Sequence, residues 1–313
     1  MPKAGLLWSL FLYKKIMSWR VIYIESSDYL SLYLDNLRIK KGIDETIIPL
    51  SDLNSIVIDN NNIVLSTALI NKCMEYKVNI ILCDIYHLPN ALIIPYSGNY
   101  QSTAQLKKQI DWTDDIKNII WKIIIEKKIL NQSMILLKHR RDKKVIDHMT
   151  KFSDEVKPGD KTNREGLAAK IYFRELFGKD FIRHADDIVN AGLNYGYSIL
   201  RSQISRALVA RGLNPHLGIF HKGRSNQFNL ADDVIEVFRP IIDDYVFINL
   251  LESDSFIRDH RLALIELTTE KIKIDGNYQT IVNAMNIMID SILNAIETGN
   301  IDLIKLPEPL VNE

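Results

Sequence analysis

The 313-residue sequence has only two cysteines, Cys73 and Cys83. They form neither a disulfide framework nor a Cys-x-x-Cys ligand pair, which suits a reducing cytoplasm and leaves zinc-finger chemistry without ligands. No apolar run reaches the roughly 20 residues that a membrane-spanning helix needs, so no membrane partner is expected. A charge excess is lacking too. The 39 Lys and Arg balance 39 Asp and Glu, and bulk charge therefore does not announce a nucleic-acid protein. There is no Gly-x-x-x-x-Gly-Lys-Ser/Thr phosphate loop, no Gly-x-Ser-x-Gly elbow and no repeat at a solenoid period. What remains is the balance of a soluble globular chain, 47% hydrophobic and 25% charged, with enough length for two domains. Near the start, Gly5–Tyr13 is apolar but is followed by no small-residue cleavage site, so a signal peptide is not expected. Met17 directly precedes the first strand-like run. We read it as the natural start, with residues 1–16 as an upstream extension.

The pattern along the chain changes once. Between residues 17 and 96, runs such as Arg20–Glu25 and Tyr29–Leu34 are rich in β-branched and aromatic residues. Thr46–Pro49, Ser55–Asp59, Asn79–Asp84 and Ala91–Pro95 follow. One helix capped by Ser66 interrupts these strands. Residues 97–113 read as a linker, with Thr113 or Asp114 capping the next helix. From there to residue 306 the period is 3.6, with long helices over 164–178, 188–211, 231–250 and 278–298. Residues 307–313 read as a tail. The expected fold is α+β: a β-rich N-terminal domain with one helix, then a larger all-α domain.

Charge is uneven locally. Eleven basic residues face five acidic ones between Gln105 and Lys144. Arg140, Arg141, Lys143 and Lys144 close that stretch and are candidates for holding DNA phosphates, although a solvated helix face explains them as well.

The informative segment is Leu213–Pro240, LNPHLGIFHKGRSNQFNLADDVIEVFRP. On a helix through Ala231 and Phe238, Asp232 and Glu236 share a face with Arg239, and Asp233 is rotated away by about 100°. Two carboxylates at this spacing repel, so a positive group, Arg239 or a metal ion, should offset them. His221 ends an apolar run before a loop that returns toward that face. Glu165, in Asn163-Arg164-Glu165-Gly166, adds a carboxylate at another helix start. Such oxygen and imidazole donors suit Mg2+ or Mn2+, and Arg164, Lys222 and Arg224 could hold a phosphate backbone. Each residue also has an ordinary structural explanation. Glu165, Asp232 and Asp233 favour a helix dipole, His221 fits a partly buried histidine, and Glu236–Arg239 is a common i,i+3 pair.

Four segments together resemble a known family. Asn163–Phe173 (NREGLAAKIYF), Asn190–Leu200 (NAGLNYGYSIL), Gly212–His221 (GLNPHLGIFH) and Leu230–Pro240 (LADDVIEVFRP) are similar to the motifs of the CRISPR-associated adaptation integrase, in the same order and spacing. The likeness runs from about Met17 to Pro307. Lys127–Ser133 (KKILNQS) looks like the type II variant, which accompanies a single-protein RNA-guided effector nuclease. The resemblance implies an N-terminal β-sandwich and a helical catalytic domain. It implies homodimers flanking a dimer of a small ferredoxin-like companion subunit in a heterohexamer. It implies metal ligands at Glu165, His221 and Glu236, the last at a position where many relatives carry aspartate, with Asp232, Asp233 and Arg239 in supporting roles. The implied reaction is transesterification. The 3′-hydroxyl of a captured double-stranded DNA fragment attacks a phosphodiester at the CRISPR repeat, and water in its place gives endonuclease activity. Two other readings stay open from the residues alone: a branched-DNA repair endonuclease and a non-catalytic DNA-binding scaffold.

Overall fold

The computed structural model of the protein describes residues 20–96 and 102–310. The expected extension, residues 1–16, lies outside the described residues, as do 97–101 of the expected linker and 311–313 of the expected tail.

The N-terminal part contains β1 (Arg20–Ile24), β2 (Tyr29–Tyr33), β3 (Asn36–Lys41), β4 (Asp44–Pro49), β5 (Leu53–Ile58), β6 (Val64–Leu65), α1 (Thr67–Glu75), β7 (Asn79–Cys83) and β8 (Pro89–Ile93). One sheet has the order β1-β5-β7-β8, and the second β4-β3-β2-β6. In the first sheet β1, β5 and β7 are parallel and β8 is antiparallel. Strand β5 is buried at every position, as expected of a central parallel strand covered on both faces. Leu30, Leu37 and Ile48 of the second sheet, Ile56, Ile58 and Ile80 of the first, and Leu69 and Cys73 of α1 share one core. This is the expected sandwich of two sheets. Ser66 caps α1 by accepting from the Leu69 N–H at 3.3 Å. Strand β3 escapes a sequence reading because its NLRIKK is polar and because its turn, Leu34-Asp35, lacks the usual Asn-Gly, although both residues have positive φ (46° and 60°).

The C-terminal part contains α2 (Ser102–Ile110), α3 (Asp114–Lys138), α4 (Lys143–Asp154), α5 (Arg164–Phe177), α6 (Ile188–Ala210), α7 (Asn229–Ile235), α8 (Arg239–Leu250), α9 (Arg258–Glu266), β9 (Lys271–Ile274), β10 (Asn277–Thr280), α10 (Ile281–Thr298) and β11 (Pro307–Glu308). Helix α6 runs through the middle and packs on α7, α8, α9 and α10. A Cβ added to Gly196 would lie 2.5 Å from Ile242 Cγ2, so the glycine is what lets α6 and α8 approach. Three differences from the sequence reading follow. Most of the stretch read as linker is helix α2, whose buried Gln109 is tied into the domain. A small sheet, β10-β9-β11, joins the helices, and it takes up Pro307 and Glu308 from the stretch read as tail. Its Asp275-Gly276 turn, at φ 51° and 74°, is a hairpin signal of the strongest kind. Finally, the single helix expected over 231–250 is two. Pro240 offers no N–H to the carbonyl of residue 236 and its ring crowds that carbonyl, so the chain turns at 236–238.

The two parts are joined by polar contacts as well as by packing. Gln203 Nε2 of α6 donates to Ser55 Oγ of β5 at 2.8 Å, and Arg261 of α9 pairs with the buried Asp59 carboxylate at 3.2 Å. No helix among the described residues is long and apolar enough to cross a membrane.

Candidate active site

Glu165 lies in the first turn of α5. The free N–H groups of that turn are already satisfied: Arg164 N and Glu165 N donate to the two Asp160 carboxylate oxygens at 2.8 and 3.0 Å, and Gly166 N to Asn163 Oδ1 at 3.2 Å. The Glu165 carboxylate is therefore not needed as a cap. It points to Lys128 of α3, with 2.6 Å between Oε1 and Nζ. The same ammonium lies 2.6 Å from Glu236 Oε2 at the break between α7 and α8, and Arg239 Nη2 lies 3.1 Å from Glu236 Oε1. Two carboxylates from different helices thus meet at one buried cation. Burial resists ionisation of Glu236, but Arg239 and Lys128 prevail and hold its carboxyl below the usual range. Burial likewise opposes the Lys128 charge, and Glu236 and Glu165 outweigh it, so its pKa is raised.

His221 and Asp233 form the neighbouring pair. Asp233 is fully buried in α7. Its Oδ2 accepts from Ile219 N (2.5 Å) and Phe220 N (3.1 Å), and its Oδ1 accepts from His221 N (3.0 Å). The same Oδ1 lies 2.7 Å from His221 Nδ1. One carboxylate thus shapes the 219–221 loop and orients the imidazole. That hydrogen bond raises the His221 pKa against the opposing effect of burial. Burial pushes the Asp233 carboxyl up, while the bonds from His221 and the backbone pull it down. Gly218 makes the turn possible: a Cβ there would be 2.3 Å from His221 O and 2.8 Å from Asp233 Oδ2. Phe220 stacks on Trp121 of α3 with centroids 4.3 Å apart, and the His221 ring meets the Trp121 edge. Behind the loop, Gln109 Nε2 donates to the Asn214 and Leu217 carbonyls, and Asn229 Nδ2 to those of His216 and Gly223.

The other candidates divide. Asp232 accepts from Asn226 Nδ2 at 2.7 Å and lies 3.9 Å from Arg201. With Arg183, Arg201 and Arg239 it lines an open, mainly polar cavity of about 280 Å3. Arg164 pairs with Glu155 at 3.0 Å. Lys222 and Arg224 are exposed on the loop after His221, and Lys222 lies 3.9 Å from Asp114. Arg140, Arg141, Lys143 and Lys144 follow the C-terminal end of α3. Arg140 is roughly 18 Å from Lys128 along that helix at 1.5 Å per residue. Arg141 is a structural residue there, donating to Leu176 O at 3.0 Å and covering the Phe247 ring. The sequence reading missed Lys128, Gln109 and Asn229. Lys128 had a signal, since a lysine within the apolar pattern of α3 is buried only with a partner.

The donor chemistry fits a divalent ion. Glu165 and Glu236 converge on a single positive charge, and with Nδ1 held by Asp233, His221 has Nε2 left as a ligand atom. Among the described residues no three His, Cys, Asp or Glu side chains already surround one point, because Lys128 stands between the carboxylates.

The fold is α+β, with N-terminal sheets followed by a helical part that carries the Glu165–Lys128–Glu236 cluster and the His221–Asp233 pair. Residues 22–263 match the family model described as CRISPR associated protein Cas1. The CRISPR-associated endonuclease Cas1 of Neisseria meningitidis is 33% identical over 301 residues, covering 94% of this chain and 97% of that protein. One from Francisella tularensis subsp. novicida is 28% identical over 254 residues, covering 74% and 79%. Among solved structures, a casposase bound to integration product superimposes with a TM-score of 0.72 at 19% identity, covering 90% of this chain and 91% of that one. A CAS1 protein from Thermotoga maritima gives 0.72 at 15% identity, covering 89% and 97%. The chain belongs to the CRISPR-associated Cas1 family, and its class is that of the CRISPR-associated endonucleases.

Proposed function

We propose that this chain is the integrase of CRISPR adaptation, joining the 3′-hydroxyl ends of captured DNA fragments to the CRISPR repeat by metal-dependent transesterification. The observation that carries this reading is the convergence of Glu165 and Glu236 on one buried cation beside an imidazole held by Asp233. In it, Glu165, His221 and Glu236 would hold Mg2+ or Mn2+, which when bound would supply positive charge beside the phosphodiester and favour the ionised form of the attacking hydroxyl. Asp233 keeps the His221 ring in one orientation, and Arg239 keeps Glu236 ionised. No nucleotide is consumed, because one phosphodiester replaces another. Water in place of the fragment hydroxyl gives endonuclease activity. Lys222 and Arg224, exposed on the loop after His221, would meet the phosphate backbone in this reading.

The expected assembly has two homodimers of this chain on a dimer of a small companion subunit, working in the cytoplasm, with the RNA-guided effector nuclease as a further partner. The likeness to a chain of a Cas6-RT-Cas1–Cas2 complex supports the companion subunit alone, with a TM-score of 0.75 at 16% identity, covering 97% of this chain and 37% of that one.

One joining assay tests the reading. A labelled fragment and a repeat-containing plasmid are incubated with the chain, with and without Mn2+ or Mg2+ and the companion subunit. Joining that needs metal and repeat, and that Glu165→Ala, His221→Ala or Glu236→Ala each abolish, is expected. Cutting of branched junctions without repeat or companion would favour a repair nuclease. Binding indifferent to metal, with no strand joined or cut, would favour a scaffold.

A further inference from the structure

Lys128 is an unusual residue to find where it is. It lies on α3 between the buried Ile125, Ile129 and Gln132, and only 7% of its side chain is exposed. Burying an ammonium costs several kcal/mol unless it is paired. Here it is paired twice, at 2.6 Å to Glu165 and at 2.6 Å to Glu236. Removing the ammonium would leave two carboxylates facing each other, with only Arg239 on the far oxygen of Glu236 to offset them.

The charges can be counted. Glu165, Glu236, Lys128 and Arg239 cancel. A divalent ion added to that cluster turns it net positive by two. A phosphodiester entering with the ion halves that excess. In a poorly solvated site such imbalance is expensive, so ion and phosphate should favour each other. The space raises the same issue: the carboxylate oxygens that would bind the ion already hold the ammonium. A lysine head on a flexible four-carbon stem can be displaced and find another anion.

We propose that Lys128 is a resident counter-ion. It holds Glu165 and Glu236 together when no metal is bound, a divalent ion displaces its ammonium, and the ammonium then pairs with the phosphate of the bound DNA. This rests on the metal-site reading above and deepens it. Metal loading is thereby linked to DNA: each ligand raises the affinity for the other by the same factor, typically about 5–150-fold.

The test is Mn2+ titration of the full chain by calorimetry. It is done alone and with a fragment whose 3′ ends are dideoxy-terminated, so that no joining occurs. Wild type should bind Mn2+ at least about 5-fold more tightly with the fragment than without it. Lys128→Met should bind Mn2+ more tightly than wild type in the absence of DNA and should lose most of the fragment dependence. Lys128→Arg, which keeps the charge, should retain the dependence. Folding of each variant is checked by circular dichroism, and if Lys128→Met does not fold, the wild-type linkage decides. Wild-type Mn2+ affinity that is indifferent to the fragment overturns the proposal, as does a folded Lys128→Met that binds Mn2+ no more tightly than wild type. A wild type that binds no Mn2+ at all overturns the metal-site reading itself, a separate and recognisable result.

Discussion

Asp233 Oδ1 lies 2.7 Å from His221 Nδ1 and also accepts the His221 backbone N–H at 3.0 Å, so one buried carboxylate oxygen sets both the ring and the chain of the same residue. Asp233→Asn keeps an acceptor there but loses the charge and one acceptor oxygen for the loop N–H groups. We expect joining activity and Mn2+ affinity to fall about 10–100-fold, as when a carboxylate behind a ligating histidine is removed. Initial rates and titration of Mn2+ check this. Unchanged values would mean that His221 does not depend on Asp233 for its orientation.

Gly218→Ala probes the same loop from the backbone. The new Cβ would meet His221 O at 2.3 Å, and a carbonyl cannot yield as a flexible side-chain end can. The loop must move away from Asp233, so activity should drop sharply while α3 and α6 remain folded. Thermal unfolding should show a loss of about 1–3 kcal/mol, the usual cost of overpacking. A variant with wild-type activity would show that the loop has slack.

A pH dependence of stability comes from Asp243 of α8. Burial pushes its carboxyl up to about 7, against the hydrogen bond it accepts from the Tyr197 hydroxyl and the charge of Arg239. The folded chain therefore holds this proton more tightly than the unfolded chain, whose value is 3.8. The contribution is greatest below the unfolded value and is lost as pH rises toward 7, at a slope of up to about 1.4 kcal/mol per pH unit. Above that it is flat. Urea unfolding of wild type and Asp243→Asn between pH 4.5 and 8.5 should show the wild type losing stability relative to the variant up to about pH 7 and running parallel beyond. A constant difference across the range would mean that Asp243 is ionised throughout.

Basic residues should separate by their surroundings. Arg140, Lys143 and Lys144 are exposed, so reversing their charges should weaken duplex binding at low salt, reduce its salt dependence and leave stability unchanged. Arg141 should behave differently: it holds Leu176 O and covers Phe247, so Arg141→Glu should lower the unfolding temperature. DNA affinity indifferent to the three exposed residues would leave them as a solvated face.

Much of the fold was legible because it depends on local periodicity. Alternating and β-branched runs mark β1, β2, β5 and β7, Ser66 and Thr113 cap their helices as their types suggest, and a 3.6 period marks α3, α5, α6 and α10. Strands β3 and β11 were not legible, since short polar strands acquire meaning only from the partner that completes their hydrogen bonds, whereas the Asp275-Gly276 hairpin of β9 and β10 carried a local signal that the helical reading of 278–298 passed over. The site divides the same way. Glu165, His221 and Glu236 were singled out as candidates by the resemblance of four ordered motifs, because residue type and order are properties of the chain. Their neighbours are not. That Lys128, thirty-seven residues before Glu165, stands between the two carboxylates is decided by the packing of α3 against α5 and the α7–α8 turn. That Asp233 rather than Asp232 holds His221 depends on which side of α7 faces the loop. The sequence determined which chemical groups were available and where the strongly periodic helices and strands lie. Tertiary structure alone decided which charges share a buried space, because that balance is struck between residues far apart in the chain.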